Sequence, residues 1–512
     1  MLASLTEKYR HKIKKVEELS EILGPRPRKR PVIMCHGVFD VVHPGHLRHL
    51  LYAKSKADIL VASLTADVHI TKGHYRPHIP QELRALNLAA FEIVDYVLID
   101  TNPTPLANIA KLQPDFFAKG YEYTSDGLPA KTQEELDALR TYGGEMLFTP
   151  GDVVYSSSRL LDLAPPRIRL EKLLTLMEYE NLTFDSLRES LEKLKGKRVH
   201  VLGDTIVDSY TQTAMIGGQT KTPTMSVLYE RRDDYIGGAA VVAKHLRAAG
   251  AEVVFSTVLG EDALKTFVLS GLEEFGVDCR PVIDSTRPTT NKNAIVAEGY
   301  RLLKIDTLDN RSISDDVVES LAGTVAKTPC DAVVYSDFRH GIFNRRTIPR
   351  LVAAIPPNAY KVADSQVASR WGNITEFQEF DLITPNEREA RFALADQDSG
   401  VRPLASAIYQ ATKCRTLILK LGDRGVLTCR SDGNEAIVVD SFVERLVDAV
   451  GAGDALLAYA TLAMLATGSD TIATILGSIA AACECEYDGN IPVTPEDVSR
   501  KIDAVERQAN YR

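Results

Sequence analysis

At 512 residues, with 45% apolar and 25% charged side chains, the chain is too long for one typical core and too apolar for a largely disordered polymer, so two or three globular domains are expected. A formal net charge of -9 with no long basic run argues against nucleic acid as the main partner and favours small anions, which local basic pockets can still bind. The seven cysteines are odd in number and scattered from Cys35 to Cys485; they form no disulfide framework, and Cys483 with Cys485 lacks a second pair at zinc spacing. Reduced thiols in a cytosol are expected, because the N-terminus carries a charged helical pattern instead of an apolar signal core and no uninterrupted apolar run reaches about 18 residues. Neither an export signal nor a membrane contact is expected.

In chain order, Leu5 to Leu23 has the spacing of an amphipathic helix and ends at Gly24-Pro25-Arg26-Pro27, giving an N-terminal helical segment over 1–30. The basic run Arg26 to Arg30 reads as a solvated connector. Val32 to Met34 is a short buried strand, followed by Gly37-Val38-Phe39-Asp40-Val41-Val42-His43-Pro44-Gly45-His46 and then by the helical pattern Leu47, Leu50, Leu51 and Ala53. Pro44 suits a first helical turn, and His43 and His46, three apart, can face one point in front of it. Helix-end amides favour a phosphate there, and two imidazoles add donors that follow charge developing on phosphorus.

Strand and helix patterns then alternate: Ile59 to Ser63, Gln81 to Phe91, Tyr96 to Ile99, Pro105 to Leu112, Asp115 to Ala118. The alternation predicts an α/β fold with a parallel sheet covered by helices and a ligand at the carboxyl ends of the strands. Three loops carry nucleotide chemistry. Lys72-Gly73-His74-Tyr75-Arg76-Pro77 can bring Lys72 and Arg76 over a triphosphate, with Arg84 opening the next helix. Lys119-Gly120-Tyr121 follows a strand, and Tyr155-Ser156-Ser157-Ser158-Arg159 offers hydroxyls and amides at a helix start. Each alone reads as a solvated loop or a cap; their joint order points to a nucleotide site.

The decapeptide from Gly37 to His46 resembles the G-x-F-D-x-x-H-x-G-H signature of the cytidylyltransferase-like nucleotidyltransferases. With Lys72-Gly73, Arg76-Pro77, Pro80 to Arg84, Lys119-Gly120, Gly143-Gly144-Glu145 and Ser156 to Ser158, residues 31–165 resemble the nucleotidyltransferase half of the bifunctional heptose kinase and ADP-heptose synthase family. The resemblance implies a Rossmann-like domain in which His43, His46 and Lys72 are catalytic, and Gly37, Phe39, Asp40, Arg84, Lys119, Ser156 and Ser157 bind nucleotide. The implied reaction is in-line attack by a sugar 1-phosphate on the α-phosphorus of an NTP, with Mg2+ and without a covalent enzyme intermediate.

Residues 166–197 turn to Leu, Glu, Lys and Arg at helical spacing, partly Leu170 to Met177 and partly Phe184 to Leu194, and read as a helical linker. A second α/β pattern fills 198–512, with strands at Val199 to Leu202, Val253 to Thr257, Ala332 to Ser336, Lys361 to Asp364, Leu382 to Thr384 and Thr416 to Lys420. Its key stretch is Asp448-Ala449-Val450-Gly451-Ala452-Gly453-Asp454-Ala455, leading into the apolar helix Leu456 to Leu465. Gly451 and Gly453 let amides close on a phosphoryl group, and Asp454 sits where it could take a proton from a hydroxyl.

With Gly203-Asp204, Asp208, Gly237-Gly238-Ala239-Ala240, Asn386-Glu387-Arg388-Glu389 and Gly422-Asp423-Arg424-Gly425, this half resembles the ribokinase or PfkB sugar kinases, a ribokinase-like α/β domain with a small lid. The resemblance implies Asp454 as catalytic base and Gly451, Ala452 and Gly453 as the anion hole. Asn386 and Glu389 would form the Mg2+-phosphate neighbourhood with Glu389 on the metal, Gly422 and Gly425 would be part of the ATP site, and Asp204, Asp208, Gly237, Gly238 and Arg301 would stand at the sugar. The order of Arg287 to Lys292, Arg301 to Asp306 and Tyr335 to Gly341 again follows the heptose family, with two departures. The two domains are in swapped order, and Val241 stands where an asparagine usually follows Gly-Gly-Ala-Ala, so one polar contact to a sugar hydroxyl is missing.

The expectation is therefore a cytoplasmic bifunctional transferase using sugar phosphates, ATP (CTP being the alternative for nucleotidyl transfer) and Mg2+. The resemblance further implies a homodimer, and a separate phosphatase between the two steps when the acceptor is already a sugar phosphate. Two other readings are a polyol or pentose kinase fused to a polyol-phosphate cytidylyltransferase, and a pair in which one domain is a silent nucleotide-binding regulator.

Overall fold

The computed structural model describes residues 8–70, 76–120, 130–149, 169–218, 225–366, 374–430 and 435–510. It divides into two compact units, Met1–Thr175 with Ser399–Pro403, and Leu176–Asp398 with Leu404–Arg512.

In the first unit, α1 (Val16–Leu23), β1 (Val32–Gly37), α2 (Pro44–Lys54), β2 (Ile59–Thr65), α3 (Gln81–Ala89), β3 (Tyr96–Asp100), α4 (Leu106–Leu112), β4 (Phe116–Gly120), α5 (Ala130–Arg140) and β5 (Glu145–Thr149) follow one another. The strands pair in parallel in the order β3-β2-β1-β4-β5. Strand alternation divides the core: Ile33 and Cys35 pack with Leu50, Leu60 and Leu88 on one face, Val32 and Met34 with Ile109, Leu112, Phe117 and Leu139 on the other. The strand order reverses between β1 and β4, so a crevice opens beyond Gly37, where the histidine motif begins.

The single continuous helix expected over Leu5 to Leu23 is interrupted: among the described residues 8–10 are helical, a turn and a β-bridge occupy 11–13, and the helix Val16–Leu23 follows. Ahead of it Ile13 makes a parallel bridge to Val97, with Lys14 N donating to Val97 O (2.9 Å) and Val97 N to Lys12 O (2.9 Å). The Lys12 ammonium donates to the carbonyls of Phe91 (3.0 Å) and Val94 (2.8 Å). Amides and carbonyls on the open edge of β3 recruit this stretch, and pairing there outweighs helical spacing.

Next come α6 (Arg169–Tyr179) and α7 (Phe184–Glu192), the latter capped by Thr183, which accepts from Ser186 N at 3.1 Å. The second unit continues with β6 (Arg198–Gly203), β7 (Thr205–Gly218), β8 (Met225–Gly238), α8 (Ala239–Ala248), β9 (Glu252–Leu259), α9 (Ala263–Glu274), β10 (Asp278–Ile283), β11 (Asn291–Ala297), β12 (Tyr300–Thr307), α10 (Asp315–Lys327) and β13 (Ala332–Asp337). It closes with α11 (Ile348–Ala353), β14 (Tyr360–Ser365), β15 (Leu382–Ile383), α12 (Glu387–Leu394), α13 (Val401–Thr412), β16 (Thr416–Lys420), β17 (Val426–Arg430), β18 (Glu435–Val439), α14 (Ala452–Thr467), α15 (Asp470–Cys485) and α16 (Pro495–Asn510). Within the expected linker 166–197, α7 is packed into this unit, its Arg188 donating to Asp503 of α16 at 2.7 and 3.0 Å.

Nine strands form one sheet, β10-β9-β6-β13-β14-β15-β16-β17-β18, parallel from β10 to β16 and antiparallel over its last two strands. A second sheet, β12-β11-β7-β8, grows from the carboxyl end of β6 through Asp204 and returns to the unit at Gly238, the entry of α8. It exposes Met215, Leu228, Tyr229, Tyr235, Leu303 and Ile305. The larger sheet reverses its order between β6 and β13, next to that outgrowth. Among the described residues no helix is long and apolar enough to cross a membrane.

Candidate active sites

In the first unit the chain leaves β1 through Phe39, which adopts a left-handed backbone (φ 48°) that a non-glycine residue holds only under constraint. His43 then caps α2, with Pro44 as the first helical residue. His43 Nδ1 accepts from Gly45 N (3.1 Å), so the proton of the neutral ring sits on Nε2. His46 Nδ1 accepts from His43 N (3.4 Å), and the two ring centroids lie 3.9 Å apart with the planes tilted by 36°. Burial, then the neighbouring His43 and His49, push His46 down to about 4. The helix N-terminus thus carries two adjacent imidazoles, at least one of them neutral at physiological pH.

Several motif positions brace this cradle instead of lining it. Arg84, expected at the phosphates, is fully buried; Nε donates to Ile79 O (3.0 Å) and Nη2 to Thr65 O (3.0 Å) and Asp67 (2.5 Å), while Nη1 donates to Val38 O. Phe39 is 4% exposed, and its ring packs 5.2 Å from that of His46. A Cβ at Gly37 would stand 3.3 Å from the Phe39 ring, which explains that glycine. Asp40 is buried, and its Oδ1 accepts from the amides of His78 (2.8 Å) and Ile79 (3.0 Å), holding the turn before α3. Lys119, at the end of β4, pairs with Glu135 of α5. Lys72, Ser156 and Ser157 lie outside the described residues. The motif reading missed His49, one turn after His46: its Nδ1 lies 2.9 Å from Thr149 Oγ1, and that hydroxyl donates to Lys119 O (3.3 Å).

The second unit assembles a charged site. Gly451, with φ +88°, caps α14, and Asp454 is the third residue of that helix, 9% exposed. Burial, then Asp364, raises the Asp454 carboxyl from 3.8 to about 7. Lys420, at the end of β16, lies under the turn: a Cβ at Gly453 would stand 3.3 Å from its Nζ. Its ammonium bonds Asp364 of β14 at 3.1 and 3.3 Å, and Thr384 Oγ1 donates to the same carboxylate at 3.1 Å. Asn386 and Glu389 make a reciprocal cap on α12, Asn386 N donating to Glu389 Oε2 (2.6 Å) and Glu389 N to Asn386 Oδ1 (2.8 Å). Burial raises Glu389 to about 7 while Lys420 opposes it. Asp364, Glu389 and Asp454 therefore share one cation, and sequence reading had singled out neither Asp364 nor Lys420. Both end parallel strands, where a ligand is expected, and that placement was the available signal.

Gly422 (φ +65°) has open space where a Cβ would be, whereas Gly425 is dictated by backbone, a Cβ there meeting Val439 O at 2.0 Å. On the small sheet Asp208, Lys292 and Asp306 are direct cross-strand neighbours. A Cβ at Gly237 would meet Asp208 Oδ2 at 2.3 Å, and one at Gly238 would meet Asp204 O at 2.4 Å. Burial raises the Asp208 carboxyl, with Lys292 and Lys304 opposing. Arg301 lies over the Tyr210 ring at 5.6 Å, with Nη2 3.3 Å from its hydroxyl. Asp204, expected at the sugar, is a buried anchor: its Oδ2 accepts from the amides of Phe338 (3.0 Å) and His340 (3.2 Å). Val241 is buried in α8.

The pfkB family carbohydrate kinase profile matches residues 197–497, and the Cytidylyltransferase-like profile matches residues 34–161. The chain is 28% identical over 332 residues to Bifunctional protein HldE of Rhodopseudomonas palustris (strain TIE-1), covering 62% of this chain and 66% of that protein. It is 39% identical over 123 residues to Bifunctional protein HldE of Campylobacter concisus (strain 13826), covering 24% of this chain and 26% of that one. The chain thus spans just under two thirds of the length of the first of these relatives. Phosphofructokinase-2 from Escherichia coli, in complex with substrates and products, superposes with a TM-score of 0.51 at 20% identity over 60% of this chain and 100% of its own, a likeness of fold.

Proposed function

We propose a two-reaction enzyme, and the premise is that this chain belongs to the pfkB family of carbohydrate kinases, whose profile covers residues 197–497. Residues 198–512 phosphorylate a sugar or sugar phosphate from ATP. Residues 31–165 join a nucleotidyl group to a sugar 1-phosphate and release pyrophosphate. The product is an NDP-activated sugar, ADP-heptose-like, for glycan assembly such as lipopolysaccharide, capsule or a glycoconjugate. ATP is the nucleotide of both steps, with CTP as the alternative for the second.

The observation that carries this reading is the Gly451 to Asp454 turn: a helix N-terminus with a buried carboxylate raised to about 7 and Lys420 beneath it. A base in that range takes the proton of an acceptor hydroxyl as it attacks the γ-phosphorus, while the amides of Ala452 and Gly453 receive the charge on the transferred group. Asp208 and Lys292 orient the acceptor on the small sheet. In the other reaction the nucleophile is already an anionic phosphate, so His43 and His46 need only position the α-phosphate and donate hydrogen bonds to it. Lys72, Ser156 and Ser157 are assigned to the same nucleotide.

Among the described residues no three histidine, cysteine or carboxylate groups converge to hold an ion. Glu389 and Asp364 fit instead a Mg2+ shared with substrate phosphates, a hard cation that needs only one or two carboxylates. Held by these two carboxylates, it would supply positive charge that neutralises the substrate phosphates. The exposed apolar side chains of the small sheet support a homodimer, and seven cysteines without disulfides support a cytoplasmic setting. If the acceptor is a sugar phosphate, the kinase product is a bisphosphate and a separate phosphatase acts before nucleotidyl transfer.

The test is a panel of sugars and sugar phosphates with ATP, CTP, GTP and UTP, read by mass spectrometry for a bisphosphate and an NDP-sugar. Formation of neither product from any combination rejects the reading.

A further inference from the structure

We infer that Glu484 is a proton-bearing positioning residue behind the anion-binding turn of the second unit, and that its ionisation weakens that turn for phosphate. Glu484 lies at the end of α15 and is fully buried, and neither carboxyl oxygen has a hydrogen-bond partner. Asn490 Oδ1, in the loop after the helix, is equally buried and unpartnered. Both face one small space behind Gly451, where a Cβ would stand 2.7 Å from Glu484 Oε1 and 2.5 Å from Asn490 Oδ1. The amide of Ile491 faces the carboxyl, but it donates to Gly489 O at 2.9 Å.

Three acceptors thus meet with no donor facing them but the Ile491 amide, which is already engaged, and an ionised carboxylate in such a place is strongly disfavoured. A neutral acid supplies the missing O–H. The charged groups facing it are Asp454 from α14, Asp448 from the preceding turn and Lys244 from α8. Burial and the two aspartates raise the Glu484 carboxyl to about 8, and Lys244, itself lowered by burial, only partly opposes them. Below that range the acid is neutral and leaves the turn its full attraction for a phosphoryl group. Above it, a negative charge stands directly behind the amides that must receive one. The effect on phosphate rests on the kinase reading; the protonation does not.

Two measurements on the full chain separate these parts. Infrared difference spectra between the native chain and E484Q at pH 7 are expected to show the C=O band of a protonated carboxylic acid that titrates away by pH 9; if no such band separates them, the inference falls. Calorimetry with Mg-ATP is expected to show a loss of affinity from pH 7 to pH 9 that is about tenfold larger in the native chain than in E484Q, since Asp454 and Glu389 ionise in both proteins and only the native chain adds the Glu484 charge. Equal weakening in both proteins overturns the inference. So does a native Kd that tightens with added potassium chloride while that of E484Q does not, since a cation and not a proton would then occupy the space. E484M replaces E484Q in both measurements if the glutamine variant fails to fold. Failure of Mg-ATP to bind at either pH rejects the kinase reading, and the infrared band still decides the proton.

Discussion

The two phosphate cradles solve one problem with opposite electrostatics. Both place the first turn of a helix beyond the carboxyl end of a parallel strand, where amides point outward. The first adds His43 and His46 and keeps His46 neutral far below physiological pH. The second packs Asp364, Glu389 and Asp454 around Lys420, so two of its carboxyls, Glu389 and Asp454, titrate near neutrality. The difference fits the nucleophiles proposed for the two reactions. A phosphate attacks as an anion and needs donors alone, whereas a hydroxyl must lose a proton and needs a base whose pKa is close to the working pH.

Removing Asp454, the proposed base, is the largest expected effect. Asp454→Asn keeps the shape of the site but cannot accept the proton, so ADP formation should fall about 100- to 10,000-fold while pyrophosphate release from NTP and sugar 1-phosphate continues at its native rate. Coupled assays of the two products on one preparation check it. A matching loss of both activities would end the idea of two independent cradles.

Lys420→Met tests whether the second cradle depends on its single cation. Taking one partner from a buried cluster leaves carboxylates uncompensated, a loss of about 3–5 kcal/mol. The unfolding transition of the second unit should drop well below that of the first in calorimetry, with the kinase lost and nucleotidyl transfer retained at low temperature. A variant that melts like the native chain would show that Asp364, Glu389 and Asp454 do not share Lys420.

His46→Ala is the reciprocal change. It removes a donor from the first cradle and the reciprocal contact to His43 N, so pyrophosphate release should fall about 100- to 1,000-fold with ADP formation unchanged. An equal loss on replacing His49 alone would move the chemistry one helical turn along.

Much of this comparison could be read before any coordinates. Thr416 to Lys420 is a strand as expected, Pro44 begins its helix, and the two apolar alternation patterns give the two α/β units. Motif position was a weaker guide to where a side chain points. Phe39 stands in the nucleotide signature and Arg84 opens a helix beyond it, yet both turn into the protein, because a loop held at φ +48° needs a buried brace beneath it. Lys420 and Asp364 escaped notice for the opposite reason: each looks like an ordinary strand end, and only the sheet order brings β14 and β16 to one side of the α14 turn. The broken helix ahead of Val16 is likewise decided by β3, about 85 residues away in sequence, which local spacing cannot report.

The smallest expected effect is on pH, and it sharpens the contrast most. Asp454 is raised by burial from 3.8 to about 7, so at pH 6 only about one molecule in ten carries the base, and ADP formation should fall about tenfold from pH 8 to pH 6. His46, lowered to about 4, is neutral throughout that range and imposes no such limb on pyrophosphate release. The same shift fixes a sign for stability. A carboxyl raised on folding binds its proton more tightly in the native state, so its contribution is complete below about 3.8 and is lost as pH rises to about 7. Asp454→Asn escapes that loss, and its Tm relative to the native chain should therefore rise between pH 5 and pH 8 even as its kinase activity disappears. A Tm difference that stays flat, or shrinks, across that interval would mean that Asp454 is ionised in the folded chain at every pH tested, and could not be the base.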